Sequence, residues 1–395
     1  MHLMFRNVNH AFKSLVERVY SGTISTFETS SRYGDIIQVA EPVLITYTKP
    51  MERVLFSTTR DCNPFFHLYE ALWMLAGKNT VKELVHYNPR MAEFSDDGQI
   101  LSGAYGYRWR RMFGVDQLDS VISELSKTPN SRRVVLNMWN PCDYTDALGP
   151  ITMPEHSDSV LSMQNGKDIP CNTHAYFQIS RGSLNMTVCN RSNDMIWGMF
   201  GANVFHFSIL QEYIASCLNI PIGVYNQFTN NLHVYKERWN PEYLLRTLNS
   251  RTQEMSPHIQ STVLRNYDYD YVMATPLKDL THNLGPGEFK DYFEHDLEES
   301  MKPLVFLDYI DKASGLGNLK EIEANYKLPF FKNVVVPVLM AFEYHKKRDY
   351  QQAFDILDRH LSHPGYVGND LIQNAFIWLR LRAQTWGWSK QTESK

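Results

Sequence analysis

The order of apolar and polar residues predicts helices and strands that alternate along the first part of the chain. Residues 8–20 and 118–126 repeat apolar side chains at helical spacing, which predicts two amphipathic helices. Residues 36–48 are strand-like with a break at Pro42, and residues 222–235 predict another strand. We therefore expect an α/β fold (α+β in stricter usage), in which helices pack on a large mixed β-sheet.

A third predicted helix is apolar almost all round. It begins at Pro64, ends at Gly77 and must be buried, because it presents no polar face to solvent. Glu70 lies in its middle, and a buried carboxylate destabilises the fold unless it is paired or used. A structural hydrogen bond to a neighbouring backbone group and a catalytic role both explain this glutamate.

Residues 168–203 form the centre of the chain. Within them, residues 175–189 predict a hairpin that turns at Gly182, and Cys171 lies just before its first strand. Five consecutive polar residues, 190–194, then precede another apolar run. A solvated loop that caps the next helix is the simpler explanation. The alternative is a pocket that this polar cluster shares with a thiolate.

Three smaller clusters carry candidate chemistry. Arg132 and Arg133 lie at the start of a predicted strand, and two guanidinium groups suit either a phosphate dianion or a surface charge pair. His233 and Tyr235 alternate along one strand and therefore lie on one of its faces. Arg32 lies in a polar, turn-prone loop.

The composition changes after about residue 250, which divides the chain into two parts. We predict a main domain over residues 1–250, with a polar insertion at 143–167 that contains proline and glycine. Residues 251–395 form an extension that begins irregularly and continues as helices over 331–388. The extension shows packing signals, and we read no chemistry in it.

Composition narrows the class of protein. The chain has 395 residues, of which 43% are hydrophobic, enough for a large core. A net charge of −4 argues against a protein built mainly to hold nucleic acid. Five cysteines without regular spacing indicate free thiols in a reducing compartment. We find no signal peptide, membrane-spanning run or metal motif, so we expect a cytoplasmic protein without a membrane or metal partner.

Together these motifs resemble the thymidylate synthase superfamily, most closely the phage pyrimidine hydroxymethylases, over residues 8–240. The resemblance implies catalytic roles for Cys171 in Pro-Cys, Glu70 in HLYEALWMLAG and Tyr105 in GAYGYRW, the tyrosine that helps to align the nucleophile. The residues implied to bind the nucleotide substrate are Arg32, Arg132, Arg133, Arg191, Ser192, Asn203, His233 and Tyr235. Asp194, in NRSND, matches the residue that contacts the pterin.

The resemblance also assigns each part of the nucleotide. Arg32, Arg191 and Ser192 are implied at the phosphate, and His233 with Tyr235 at the sugar hydroxyl.

Two further assignments concern the base and the assembly. Asn203 is implied to read the amide edge of the pyrimidine. Arg132 and Arg133 match an arginine pair that reaches the phosphate in the neighbouring subunit, which implies a homodimer. If a phage encodes the chain, its compartment is the host cytoplasm.

The chemistry of the candidate residues agrees with this resemblance. C5 of a pyrimidine is a poor nucleophile until a thiolate adds at C6 and makes the ring enolate-like, which is the role expected of Cys171. Clustered arginines are expected to lower the pKa of that thiol. A buried Glu70 with a raised pKa can move protons to and from the ring carbonyl and the cosubstrate. The implied one-carbon donor is 5,10-methylenetetrahydrofolate.

The sequence departs from the family pattern in several places. Asn172 replaces the histidine that usually follows the nucleophile. Residues 198–203, GMFGAN, are one residue longer than the usual Gly-x-Pro-Phe-Asn. Residues 87–98 contain no counterpart of a usual tryptophan, and a helical extension replaces the closing C-terminus.

These departures favour one of three enzymatic activities, each of which gives a different product. Reduction of a C5 methylene needs a dry site, and each departure can admit or orient water. We therefore predict a dUMP hydroxymethylase that makes 5-hydroxymethyl-dUMP. The alternatives are a thymidylate synthase that makes dTMP, a dCMP hydroxymethylase, and a catalytically silent nucleotide-binding relative. The silent relative is disfavoured because a binder has no use for a buried carboxylate beside a thiol.

Overall fold

The computed structural model describes residues 1–57, 60–140, 166–239, 330–362 and 369–385, together with residues 244 and 320. The predicted insertion at 143–167 lies almost entirely outside the described residues, as does the irregular first part of the extension. Within the described ranges, no helix is both long and apolar enough to cross a membrane.

Two β-sheets organise the described residues. The strands are β1 (His2–Phe5), β2 (Thr26–Ser31), β3 (Gly34–Val39), β4 (Val43–Tyr47), β5 (Val135–Asn137), β6 (Asn172–Ser180), β7 (Ser183–Asn190), β8 (Asn193–Asp194), β9 (Ile222–Thr229) and β10 (Leu232–Tyr235). The large sheet has the order β1-β4-β9-β7-β6-β5 and mixes parallel with antiparallel pairs. The large mixed sheet is therefore confirmed. The small sheet has the order β2-β3-β10-β8.

The α-helices pack around these sheets. They are α1 (Val8–Tyr20), α2 (Pro64–Leu75), α3 (Val81–Tyr87), α4 (Tyr105–Arg110), α5 (Gln117–Lys127), α6 (Val204–Cys217), α7 (Val336–Lys346), α8 (Tyr350–Leu361) and α9 (Asp370–Thr385). The predicted amphipathic helices α1 and α5 are confirmed, as are the helices of the extension. A 3-10 helix at Pro89–Phe94 and π-helices at Met195–Asn203 and Phe331–Val335 complete the helical elements described here.

The single strand predicted for residues 222–235 is wrong in one respect, because it is two strands in two different sheets. β9 pairs with β4 and β7 in the large sheet. The chain turns at Asn230 and Asn231, whose backbone groups bond to Asn190 and Asn193. β10 then enters the small sheet, where it pairs with β3 and β8. The strand-like pattern on both sides hid this change, because two short polar residues suffice for the turn.

Helix α2 lies at the centre of the helical packing, as its apolar sequence predicts. Asn63 begins it by accepting hydrogen bonds from the backbone N–H groups of Phe65 and Phe66, both at 3.1 Å. The helices of the extension cover one side of it, since the Phe65 ring lies 5.2 Å from that of Phe342 and 5.4 Å from that of Trp378. Its opposite side faces α6 and the cavity described below.

The extra residue in GMFGAN is accommodated by a π-helix. Met195–Asn203 forms this wider turn and continues directly into α6. A π-turn is how a helix takes in one additional residue without breaking. Gly198 is required inside it, because a Cβ there would lie 2.5 Å from Oδ1 of Asn193 and 3.2 Å from Nδ2 of Asn203.

Candidate active site

One cavity of about 1100 Å³ brings most of the predicted residues together. This volume suits two ligands of moderate size, since pockets for one small molecule usually measure about 300–1,000 Å³. The predicted residues that line it are Arg32, Glu70, Cys171, Arg191, Ser192, Asp194, His233 and Tyr235. They come from α2, the loop before β6, the polar residues after β7, the β2–β3 turn and β10.

Cys171 is held at the edge of the large sheet by bonds to its backbone. The hydroxyl oxygen of Tyr105 accepts hydrogen bonds from the N–H groups of Cys171 at 3.1 Å and Asn172 at 3.2 Å. The carbonyl of Cys171 accepts from the backbone N–H of Arg191 at 2.9 Å. Tyr105 thus lies behind the thiol and does not line the cavity. From this position it can fix the orientation of the thiol.

The expected lowering of the thiol pKa is wrong. Burial raises the pKa of Cys171 and outweighs the nearby charges. Arg191 and Arg32 act in the expected direction, whereas the carboxylates of Asp168 and Asp194 oppose them. The arginines therefore moderate the cost of forming a thiolate in this buried position but do not overcome it.

Arg191 and Arg32 approach the nucleophile loop from two sides. Arg191 donates from Nε to the carbonyl of Pro170 at 2.8 Å, and its guanidinium lies 5.4 Å from the ring centre of Trp139. Arg32 donates to the carbonyl of Gly166 at 2.9 Å and to the hydroxyl of its neighbour Tyr33 at 2.7 Å. Both cations line the cavity beside Cys171, which suits an anionic group there.

The polar residues after β7 are both a helix cap and part of the pocket. Oδ1 of Asp194 accepts from the N–H groups of Ile196 at 2.8 Å and Trp197 at 2.9 Å, which begins the π-helix. The capping explanation is thus correct, and so is the alternative, because Asp194 also lines the cavity. Burial raises the pKa of this carboxyl.

His233 and Tyr235 lie on one face of β10, as predicted. Their rings stand at 90° with centroids 5.2 Å apart, and both line the cavity. His233 lies directly opposite Asp194 in the β8–β10 pair. Its Nδ1 is 3.0 Å from Oδ1 of Asn231, which fixes the ring.

Glu70 reaches the cavity from the middle of α2. Its side chain is 15% exposed, and burial together with the charge of Asp168 raises its pKa to about 8. A carboxyl group with this pKa is mostly protonated at neutral pH and can give or take a proton there. Among the described residues, its carboxyl oxygen Oε2 lies 3.3 Å from Nε2 of His206.

Asn203 lies behind the cavity in a cluster of three asparagines. Its Nδ2 donates to Oδ1 of Asn193 at 3.0 Å, and its Oδ1 accepts from Nδ2 of Asn172 at 3.4 Å. All three residues are buried. Asn203 is not among the residues that line the cavity, so its contact with the base stays a prediction.

Arg132 and Arg133 lie away from this cavity. Arg132 is exposed, and Arg133 is 79% exposed and donates to Glu124 of the same chain at 2.9 Å. Their predicted role belongs to a neighbouring subunit, and a single chain leaves that role a prediction.

Several cavity residues were missed by sequence reasoning. Trp197 enters the wall from the π-helix, with the guanidinium groups of Arg60 and Arg90 at 5.1 and 5.6 Å from its ring centre. Arg382, from α9 in the extension, also lines the cavity and forms a two-pronged ion pair with Asp61 at 2.7 and 3.0 Å. The extension, in which the sequence showed no chemistry, therefore contributes a cation to the pocket.

Across the described ranges, no group of three or more histidine, cysteine, aspartate or glutamate residues is arranged to hold a metal ion.

Comparison with known proteins places this cavity in a family context. Residues 10–279 match the family model described as thymidylate synthase. The chain is 37% identical over 354 residues to a deoxyuridylate hydroxymethyltransferase of Pseudomonas phage M6, covering 89% of this chain and 86% of that protein. Proteins of the same name from Bacillus phage SP01 and Delftia phage PhiW-14 are 35% and 32% identical, over 55% and 48% of this chain and 55% and 50% of their own lengths.

Proposed function

This chain belongs to the thymidylate synthase family, and from that premise we propose that it hydroxymethylates dUMP. The one-carbon unit comes from 5,10-methylenetetrahydrofolate, and the product is 5-hydroxymethyl-dUMP. Three relatives from phages carry the name deoxyuridylate hydroxymethyltransferase, and the one from phage M6 aligns with most of this chain. The enzyme works in the cytoplasm, which for a phage protein is that of the host.

The proposal rests on one observation. Cys171, Glu70 and the two arginines proposed to bind the phosphate line the same cavity. A thiol and a carboxyl group with a pKa of about 8 supply covalent and proton-transfer chemistry. Arg32 and Arg191 supply the positive charge that a nucleotide phosphate needs. A catalytically silent nucleotide-binding relative has no use for the first two groups.

The geometry supports covalent activation of the pyrimidine. The Cys171 thiolate bonds to C6, and electron density moves onto the ring carbonyl oxygen, which takes the proton of Glu70. C5 then bonds to the one-carbon unit of the folate as the bond from that carbon to one folate nitrogen breaks, and the proton on the ring oxygen passes to this nitrogen as the carbonyl re-forms. The C5 proton passes to the second folate nitrogen, whose bond to the carbon breaks, so that tetrahydrofolate departs and leaves a C5 methylene.

The last step adds water to that methylene. A water oxygen bonds to the carbon, a water proton passes to the Glu70 carboxylate, and Cys171 leaves C6 as the ring double bond re-forms. Polar side chains of Asn63, His67 and Asn88 share the cavity wall with Glu70, which makes this part of the site suitable for water.

The remaining polar residues hold the two ligands. Ser192 supports the phosphate with Arg32 and Arg191, while His233 and Tyr235 bind the sugar hydroxyl from β10. Asp194 contacts the pterin.

The folate lies against Trp197. Its flat ring suits the aromatic face of that side chain, and Arg60 and Arg90 beside it suit the acidic tail.

The test is to weigh the nucleotide product and identify the folate product. Enzyme, dUMP and 5,10-methylenetetrahydrofolate should give a nucleotide one oxygen heavier than dTMP, together with tetrahydrofolate. A stoichiometric yield of dTMP and dihydrofolate would make the protein a thymidylate synthase instead. Incubation with a 5-fluoro nucleotide and the folate separates both from a silent relative, because only a working nucleophile traps a covalent complex.

A further inference from the structure

A buried histidine on α6 faces the catalytic carboxyl group from outside the cavity. Nε2 of His206 lies 3.3 Å from Oε2 of Glu70, and the two side chains are 5% and 15% exposed. His206 does not line the cavity, whereas Glu70 does. Any effect of this histidine on the reaction must therefore pass through a residue that does line the cavity, and Glu70 is the ionisable one that its Nε2 faces.

The protonation of the His206 ring is fixed by its surroundings. The ring hydrogen-bonds to the backbone of His67, and this bond raises the pKa of the imidazole, as expected when a ring N–H donates to a carbonyl. Nε2 has no hydrogen-bond partner among the described residues, so the donating nitrogen is Nδ1. Burial nonetheless lowers the pKa of His206 to about 3, so the ring is neutral at physiological pH.

A neutral ring with its hydrogen on Nδ1 presents a lone pair at Nε2. A carboxylate oxygen 3.3 Å away would present a second lone pair and repel it. A protonated carboxyl group at the same distance supplies a hydrogen to an acceptor that is otherwise unsatisfied. The contact is therefore favourable only when Glu70 carries the proton on Oε2.

Other titratable and charged groups surround Glu70. They are Asp168 and Cys171 in the loop before β6, Tyr105 on α4, His67 on α2 itself and Arg60 in the preceding loop. The negative charge of Asp168 raises the pKa of Glu70, and burial keeps His67 neutral. Neither supplies the acceptor that His206 provides.

We infer that His206 is a positioning residue for the reaction, whose Nε2 accepts a hydrogen bond from the protonated Oε2 of Glu70 and so holds the carboxyl group neutral in the resting site. This inference rests on the proposed function. The single proton of the carboxyl group lies against His206 until the carboxyl group turns and gives it to the pyrimidine, and the resulting carboxylate later takes up the proton that water releases. His206 also favours the neutral form of Glu70, since it offers the anion no positive charge and no N–H.

The variant that tests this is His206→Asn. The asparagine amide can keep the bond to the His67 carbonyl that Nδ1 makes, but it leaves nothing at the position of Nε2. The freed space also admits water, which stabilises the carboxylate. Both changes lower the pKa of Glu70. His174→Asn is the matched control, because His174 lies on β6 with its ring against Tyr176 and does not line the cavity.

The expected readout is the pH profile of kcat/KM for dUMP. Protonated Glu70 is the form that starts the reaction, so the wild-type rate should fall as the pH rises through about 8. In His206→Asn this fall should move down by about one pH unit, the size expected from one lost hydrogen bond to the neutral form. kcat should decrease while KM for dUMP stays constant, and the control should keep the wild-type profile.

A second measurement uses the wild-type protein alone. Its infrared spectrum at neutral pH, minus that of Glu70→Gln, should show the carbonyl stretch of a protonated carboxyl group. An unchanged pH profile in His206→Asn, or no such band, would overturn the inference. Failure of the proposed function is a separate outcome, because then the wild type would yield no 5-hydroxymethyl-dUMP at any pH.

Discussion

Cys171 is the residue on which every proposed step depends, and its surroundings position it without activating it. Tyr105 and Arg191 hold its backbone, while burial raises the pKa of its thiol. Arg191 and Arg32 lower the pKa of this thiol but do not outweigh the effect of burial. A group that ionises less readily than a thiol should fail in this position.

We expect Cys171→Ser to abolish turnover and to leave dUMP binding nearly unchanged. Serine keeps the shape of the side chain, but its hydroxyl is far less ionised than a thiol at neutral pH. Product formation and equilibrium binding of dUMP measure the two effects. Cys189→Ser is the control, since Cys189 lies on β7 and does not line the cavity. Turnover near the wild-type level in Cys171→Ser would remove this thiol from its role.

Asn203 should decide which base the enzyme accepts. Its amide can accept from N3–H and donate to O4, the uracil pattern, whereas an aspartate there suits the exocyclic amine of cytosine. We expect wild type to prefer dUMP and Asn203→Asp to shift the ratio of kcat/KM towards dCMP. An aspartate also loses the bond to Asn193, which costs about 1 kcal/mol of stability. A wild-type preference for dCMP would show that Asn203 does not read the base.

Some residues of the site could be predicted from the sequence, and others could not. Glu70 and Cys171 stand out because each is unusual in its local context, a carboxylate in an apolar helix and a thiol after proline. His206 and Arg382 look ordinary in their own helices. They acquire a role only through contacts with Glu70 and Asp61, which lie more than a hundred residues away in sequence. A local sequence pattern does not encode a contact between residues so far apart.

At the scale of elements, the extension is part of the wall of the site. Helices α7 and α9 pack on α2 through Phe342 and Trp378, which places α9 next to the cavity. From there, Arg382 lies 3.3 Å over the Trp378 ring and pairs with Asp61. The ring and the carboxylate together hold the guanidinium at the edge of the pocket.

We expect Arg382→Ala to raise KM for 5,10-methylenetetrahydrofolate about tenfold, because a cation that suits the acidic tail of the folate is lost. KM for dUMP should remain constant. The loss of stability should be small, since Asp61 is 51% exposed in this ion pair. Arg380→Ala is the matched control, because Arg380 lies over Phe376 on the same helix and away from the cavity. Equal KM values in the two variants would contradict this role.

A helix could be predicted from the sequence where its apolar and polar residues lie on two distinct faces. The helices α1 and α5 alternate apolar and polar residues, so their periodicity defines them. The stretch at Met195–Asn203 is apolar up to its last residue and contains two glycines and an alanine, so no face marks its helix type. The second sheet was hidden for another reason, because β10 pairs with β3, which lies far away along the chain.

For the whole molecule, the two arginines outside the cavity remain the argument for a homodimer. Arg133 pairs with Glu124 on an exposed surface, where an ion pair contributes only about 0–1 kcal/mol. Arg133 can therefore exchange this partner for a phosphate at little cost. Arg132 beside it is exposed as well. We propose that both reach the cavity of the neighbouring subunit.

Co-expression of two inactive chains tests this arrangement. Cys171→Ser supplies both arginines but no nucleophile, and the double variant Arg132→Ala, Arg133→Ala supplies the reverse. Random pairing should restore about one quarter of the wild-type sites, because half of the dimers are mixed and each has one complete site. Each variant expressed alone should stay inactive. A mixture with no more activity than its components would mean that the arginines do not act across an interface.

The π-helix at Met195–Asn203 determines the directions in which the side chains of α6 point. Each added residue turns a regular α-helix by about 100°, so one insertion would carry Asn203 away from Asn172 and His206 away from Glu70. The wider turn absorbs that rotation before α6 begins, and both contacts are kept. A change in chain length is thereby confined to one turn, and relatives of different length are best aligned here by helix face rather than by residue count.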